Sequence, residues 1–226
     1  MFPYVTVNLA MSADGKLSTI ERRQVKISGQ DDFRRVDILK AENDAIMIGI
    51  GTLLADDPSL TVKSPELKEK RLSSGRDENP VRIIVDSKAR TPCDAEILHK
   101  GPGKRIIAVS KLADQKKIDE LGKYAEIIQA GDERVDLRIL LAKLAEDGVE
   151  TLMVEGGGSL IWSLFEENLV DEYYTCIGNI IIGGVSAPTP ADGTGFVCEN
   201  EFTKLEIAAM EKIDDGVLLR WKVIKN

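Results

Sequence analysis

The chain has 226 residues, 43% of them hydrophobic and only 5% aromatic, with 30 Lys and Arg against 38 Asp and Glu. That length is one large domain or two small ones, and the composition is that of a globular protein with a sizeable core, neither disordered nor fibrous. A net charge of -8 excludes a surface built to wrap nucleic acid or an anionic membrane, because both partners need a basic footprint.

In chain order, the Val/Ile-rich run YVTVNLA is followed by a helical pattern, DDFRRVDILKAE, and then by DAIMIGIG, VRIIVD, RIIAVS, AEIIQAG, TLMVEGGG and DEYYTCIGNIIIGG. Strands written as continuous apolar runs are expected where helices cover both faces of a mostly parallel sheet. Between 64 and 79 the chain is polar and charged (SPELKEKRLSSGRDEN) with neither period, which predicts an exposed loop. Leu137, Leu140, Leu141, Leu144 and Ala145 recur at helical spacing, and Leu160, Ile161, Leu164, Phe165 and Leu169 do so again, giving two sheet-covering helices. Near the end, two β-like runs flank Asp214-Asp215-Gly216, and D-G between such runs signals a hairpin. The expected fold is α/β, a single domain over 1–226: a mixed, mostly parallel sheet flanked by helices, with a C-terminal antiparallel hairpin.

Cys93, Cys176 and Cys198 form no C-x-x-C pair, so neither a disulfide framework nor a metal site is expected. His99 is the only histidine, which leaves one residue for any Ser-His-Asp or Cys-His arrangement. No segment approaches the ~20 apolar residues of a membrane span, and the N-terminus has no basic flank, so the expected location is the cytoplasm.

Three glycine-bearing strand ends carry the candidate chemistry. VEGGGSLIW (154–162) brings a strand through three glycines into a helix, so that the N–H groups of Gly157, Gly158 and Ser159 suit a phosphate; a tight strand-to-helix turn is the alternative. In MIGIGTLLADDPSLTVK (47–63), Thr52 is positioned to cap a short helix, and Asp56-Asp57-Pro58 then makes a turn. In VDSKAR (85–90), a hydroxyl and two cations at a strand end are groups that recognise a 2′-phosphate, although Asp86 could instead bond a ribose hydroxyl.

Taken together with MSADGKLST, ISG, NPVRIIVDS, LVDEYY and GGVSAPTPADGTGF, in this order and over almost the whole chain, these segments resemble the dihydrofolate-reductase-like reductases of riboflavin biosynthesis. The likeness is strongest to the archaeal and fungal stand-alone type. The zinc-deaminase signature H-x-E with P-C-x-x-C is absent, so no deaminase half is expected.

The resemblance implies an NADPH-dependent reduction of the ribosyl group of 2,5-diamino-6-ribosylamino-4(3H)-pyrimidinone 5′-phosphate to a ribityl chain. It implies cofactor contacts at Ala10, Thr52, Asp56, Ser87, Gly131, Gly157, Gly158, Ser159 and Leu160. Substrate contacts are implied at Lys40, Leu60, Lys63 and Glu155, with Glu155 and Asp56 as the catalytic candidates. Lys40 and Lys63 stand where bacterial members often carry Arg, which favours a point-charge contact to phosphate over a bidentate clamp. Asp14 and Lys16 are further polar candidates, although D-G-K reads first as a turn. Thr52, Ser87 and Gly157 are expected to converge at the carboxyl ends of the strands, and the Gly156-Gly157 peptide is expected to be cis. A homodimer is expected from the family and from the apolar run GNIIIGG (178–184), read as a long strand. The alternatives are a reductase of the deaminated uracil analogue or of a pterin, and a nucleotide-binding module without catalysis.

Overall fold

The computed structural model describes residues 2–225. Among these residues, contacts divide the chain into two compact units: 36–153 with 2–3, and 4–35 with 154–225.

In the first unit, the strands β2 (Ala45–Gly49), β3 (Val81–Val85), β4 (Arg105–Val109) and β5 (Glu126–Gln129) pair in parallel, and β6 (Thr151–Val154) lies on the other side of β2. Ile46, Ile48, Ile84, Ile107 and Met153 pack into one core with Leu53, Ile97 and Leu121 from the covering helices. Strands buried on both faces account for their unbroken apolar runs. Helix α6 (Leu137–Glu146) buries Leu137, Leu140, Leu141 and Leu144, the spacing that forecast it. It starts where the Asp136 carboxylate accepts the Ile139 N–H at 2.9 Å.

The stretch 64–79 is not the loop expected from its sequence: Pro65–Ser73 is a helix, α3. Ser64 caps it by accepting the Leu67 N–H, and Pro65 takes the first helical position, where no donor is needed. Its inward-facing residue is Arg71, only 3% exposed, whose guanidinium donates to the Ala41 and Asn43 carbonyls (both 2.8 Å) and to the Asp77 carbonyl (2.7 Å). Those carbonyls include the open C-terminal end of α1 (Gln30–Glu42). A charged side chain therefore fills the place an apolar one would have marked, which hides the helical period.

In the second unit, β1 (Tyr4–Met11) pairs in parallel with β7 (Glu172–Ile177), and β7 pairs antiparallel with β9 (Gly216–Ile224), which pairs antiparallel with β8 (Lys204–Ile213). The hairpin turns at Asp214 and Asp215, with Asp214 at φ 48°, as the D-D-G signal anticipated. Helix α7 (Gly158–Glu166) buries Leu160, Ile161, Trp162 and Leu164.

The run 178–184 is likewise not a strand. β7 ends at Ile177, and at Gly178 the chain passes so close to Ile27 that a Cβ would sit 2.4 Å from its carbonyl oxygen. Gly183 and Gly184 then turn at positive φ (72° and 86°), so the apolar run leaves the ladder as a loop with Ile181 73% exposed. Among the described residues, no helix is long and apolar enough to cross a membrane.

Candidate active site

At the carboxyl end of β2 the chain enters α2 (Ile50–Asp56) directly, with Gly49 as its cap residue. Thr52 lies inside that helix and makes no cap, contrary to the sequence expectation, because the helix begins at Ile50, three residues before a Thr52 cap would start it. Asp56 ends the helix, and Asp57 follows at φ 40° with its N–H on the Leu53 carbonyl (2.9 Å).

Past the end of β3, the Asp86 carboxylate is completely buried and accepts the Thr91 N–H (2.7 Å) and hydroxyl (2.8 Å). Its second oxygen lies 3.7 Å from the Arg90 Nε. An acid committed to its own turn is not presented to a ribose hydroxyl. Ser87 is only half-buried: its hydroxyl oxygen accepts the Val135 N–H at 3.0 Å, which leaves the hydroxyl proton for an acceptor outside. Lys88 and Arg90 beside it are exposed. Ser110, just past β4, donates its hydroxyl to the Ser87 carbonyl (2.8 Å), and Gly131, just past β5, accepts the Lys111 N–H (3.1 Å). Gly131 stands at φ 83°, and a Cβ there would lie 2.3 Å from the Arg134 carbonyl, so this turn needs glycine. The first unit thus brings Thr52, Ser87 and Gly131 to the carboxyl ends of its strands, where sheets of this kind bind ligands.

The same unit carries the lysines. The Lys63 ammonium donates to the Ser59 and Thr61 hydroxyls, each at 2.9 Å, and those two hydroxyls lie 3.1 Å from one another. Burial, then the neighbouring charges of Lys40 and Lys100, push the Lys63 pKa down. Leu60, between them, is buried at φ 52°, so its side chain serves the core. Lys63 N and Ser64 N donate to the two oxygens of Asp37 (2.7 and 2.8 Å), which ties this loop to α1.

In the second unit, Ala10 sits in β1 opposite Cys176. Beyond it, Asp14 clasps two loops together. It accepts the Ser12 hydroxyl (2.6 Å) and the N–H groups of Ile182 (3.0 Å) and Gly183 (2.7 Å), and the Ser12 and Ile182 bonds bring its pKa down to about 2.

After β6 the chain runs through Glu155 to a cis Gly156-Gly157 peptide, as expected, and Gly157 caps α7 without a side chain. At Gly158 a Cβ would lie 2.5 Å from the Thr189 carbonyl oxygen, and the Gly158 carbonyl accepts the Asp192 N–H at 3.1 Å. The glycine at 158 is therefore fixed by the loop packed on it. Ser159 is exposed, whereas the Leu160 side chain is buried, so only its backbone can serve a ligand. Among the described residues, no group of His, Cys, Asp and Glu gathers as a metal site.

Sequence reasoning missed Ser59, Thr61, Ser110 and Lys100. The segment S-L-T-V-K carries no signal for the first two, because it is not a strand: Leu60 turns at φ 52°, and it is that turn which brings Ser59 and Thr61 together on Lys63.

The family model of the RibD C-terminal domain matches residues 3–219. The chain is 50% identical over 216 residues to the 2,5-diamino-6-ribosylamino-4(3H)-pyrimidinone 5′-phosphate reductase of Archaeoglobus fulgidus, covering 96% of each chain. To the protein of the same name from Methanothermobacter thermautotrophicus it is 41% identical, covering 99% of each. Among solved structures, a pyrimidine reductase-like protein of Corynebacterium diphtheriae matches with a TM-score of 0.86 at 18% identity, over 99% of this chain and 93% of that one. A dihydrofolate reductase of Enterococcus faecalis matches at 0.54 and 9% identity over 100% of both chains, which shows the shared α/β fold. On the family model and the two archaeal relatives, the chain belongs to the 2,5-diamino-6-ribosylamino-4(3H)-pyrimidinone 5′-phosphate reductases of riboflavin biosynthesis, within the RibD C-terminal domain family.

Proposed function

We propose that the chain uses NADPH to reduce the ribosyl group of 2,5-diamino-6-ribosylamino-4(3H)-pyrimidinone 5′-phosphate to the ribitylamino product. The observation that carries this reading is the cation group in a chain of net charge -8: Lys63 anchored on two hydroxyls, with Lys40 and Lys100 in its field. Such a group suits a ribose 5′-phosphate.

NADPH supplies a hydride from nicotinamide C4. Ring opening of the substrate's glycosylamine would expose an imine at C1′, whose carbon would take that hydride and whose nitrogen would take a proton. The task left to the chain is to align the partners and to place the proton. Lys40 and Lys63 hold the phosphate, and Glu155 bonds the aminopyrimidine or relays the proton. Ser87, with exposed Lys88 and Arg90, fits an adenosine 2′-phosphate: the free Ser87 proton and the two cations suit an anion, and Asp86 is occupied in its own turn. Ala10, Thr52, Asp56 and Gly131 are read as further cofactor contacts, and the Gly157–Leu160 backbone as the pyrophosphate contact.

The chain works as one reductase domain, consistent with a family model that runs unbroken from 3 to 219. It acts as a homodimer, for which exposed Ile207 (56%) and Met210 (71%) on β8 offer an apolar edge. Its three cysteines are free, which suits the cytoplasm. The test is to mix the purified protein with NADPH and either the diamino compound or its deaminated uracil analogue and to follow loss of the nicotinamide absorbance. Turnover confined to the diamino compound is expected, and turnover confined to the uracil compound would overturn the substrate assignment.

A further inference from the structure

Lys63 is not a free surface lysine, and what holds it lies on two residues to which no role has been given. The Ser59 and Thr61 side chains are almost fully buried, each 6% exposed, yet their oxygens converge on the Lys63 ammonium at 2.9 Å. An ammonium has three donors, and two are spent here, which leaves one directed away from the pair. The two hydroxyls are 3.1 Å apart, so one donates to the other, and the proton of the acceptor in that pair is also left unspent. A lysine side chain otherwise gives up rotamer freedom when it is fixed on a ligand. Two buried oxygens remove much of that cost in advance.

The hydroxyls are themselves held from behind. Asn79, 1% exposed, accepts the Val62 N–H (2.9 Å) and donates to the Pro102 carbonyl (3.0 Å). Arg82, fully buried, donates to the Lys100 carbonyl at 2.6 Å and to the Pro102 carbonyl at 2.9 Å. Asn79 thus ties the loop of Ser59, Thr61 and Lys63 to the loop of Lys100, and Arg82 fixes the latter. A Cβ at Gly101 would come within 3.2 Å of both the Asn79 amide and the Thr61 methyl, so the two loops are in contact. The residues on which this rests belong to one unit of the chain.

We propose that Ser59 and Thr61 are positioning residues for the reduction, holding the Lys63 ammonium on their hydroxyls so that it meets the substrate phosphate already oriented. This rests on the reading of Lys63 as a phosphate contact. Thr61→Val separates the hydroxyl from the packing, because valine keeps the shape and the methyl group against Gly101 and loses only the oxygen. Thr61→Ser does the reverse.

The experiment is steady-state kinetics of the whole chain with the diaminopyrimidine phosphate and NADPH varied in turn, for the wild type, Thr61→Val, Thr61→Ser, Lys63→Met and the Thr61→Val/Lys63→Met double variant. Thr61→Val is expected to raise the substrate KM about tenfold, as loss of one hydrogen bond to a charged group does, with kcat and the NADPH KM unchanged. Thr61→Ser is expected within about twofold of wild type, and Thr61→Val should add nothing once Lys63 is gone. If Lys63→Met raises the substrate KM and Thr61→Val does not, or if the Thr61→Val effect persists in the Lys63→Met background, the positioning role is overturned while the phosphate reading stands. If Lys63→Met leaves the substrate KM unchanged, the phosphate reading fails and the positioning role fails with it.

Discussion

The Asp214 carboxylate, at the tip of the C-terminal hairpin, lies against Gly29 at the start of α1, accepting the Gly29 N–H at 3.0 Å and the N–H groups of Asp31 and Asp32 at 3.1 Å each. A residue far away in sequence thus does the work of an N-cap. The contact also dictates glycine at 29, where a Cβ would stand 2.4 Å from the Asp214 carboxyl carbon. Gly29→Ala and Asp214→Ala are each expected to lower the melting temperature by about 2–4 °C, the shift that loss of an ordinary cap gives at this size. The double variant should be no worse than either single one, because both remove the same contact. Additive losses in a thermal melt would show that the two residues act separately.

The acid limb of stability follows from the same kind of contact. At Asp214, burial works to raise the pKa, but the three backbone N–H bonds and Arg34 outweigh it and the net shift is downward. At Asp14 the Ser12 hydroxyl and the Ile182 N–H lower it from 3.8 to about 2. A carboxylate with a lowered folded pKa adds stability that is fully present above its ordinary value and is lost as pH falls through the folded one. The melting temperature is therefore expected to hold between about pH 7 and 5 and to fall between about pH 4 and 2. Asp14→Asn should flatten part of that fall, and an unchanged acid limb in that variant would remove Asp14 from the account.

Arg71 replaces an apolar core residue and closes three carbonyls at once. Arg71→Met would fill a similar volume and leave those carbonyls buried without donors. It is expected to cost about 2–4 kcal/mol in denaturant unfolding. A loss well under 1 kcal/mol would mean that water replaces the guanidinium.

Cofactor choice is expected to rest on the end of β3. Ser87→Ala combined with Arg90→Ala should raise the NADPH KM about tenfold and change the NADH KM far less, because of the two cofactors only NADPH carries the 2′-phosphate these groups would meet. Equal effects on both cofactors would place these residues elsewhere in the chemistry.

The apolar periods and the turn chemistry were legible in the sequence, and the misses lie where those two signals do not apply. Helices α6 and α7 bury apolar stripes at the spacing that forecast them, and the Asp214-Asp215-Gly216 hairpin lies where its turn chemistry pointed. Where a polar group takes over an apolar job, the pattern is silent. Arg71 faces inward in α3, and the hydroxyls of Ser59 and Thr61 are buried under Lys63. At 178–184 the error runs the other way: an apolar run reads as a strand, but the close approach of Gly178 to Ile27 and the turn at Gly183 and Gly184 end the ladder. A long-range partner, the Thr189 carbonyl packed on Gly158, explains a glycine that local reading could assign only to a ligand or to a tight turn.

Transfer of a hydride from NADPH to C1′ of the diaminopyrimidine's ribosyl group can be followed by isotopic labelling. The protein is incubated with NADPH carrying deuterium at the transferred C4 position, and the pyrimidine product is analysed by mass spectrometry with fragmentation. A ribitylamino product carrying a single deuterium at C1′, formed in step with NADPH oxidation, is expected. Oxidation without a ribityl product, or a product free of deuterium, would contradict that transfer.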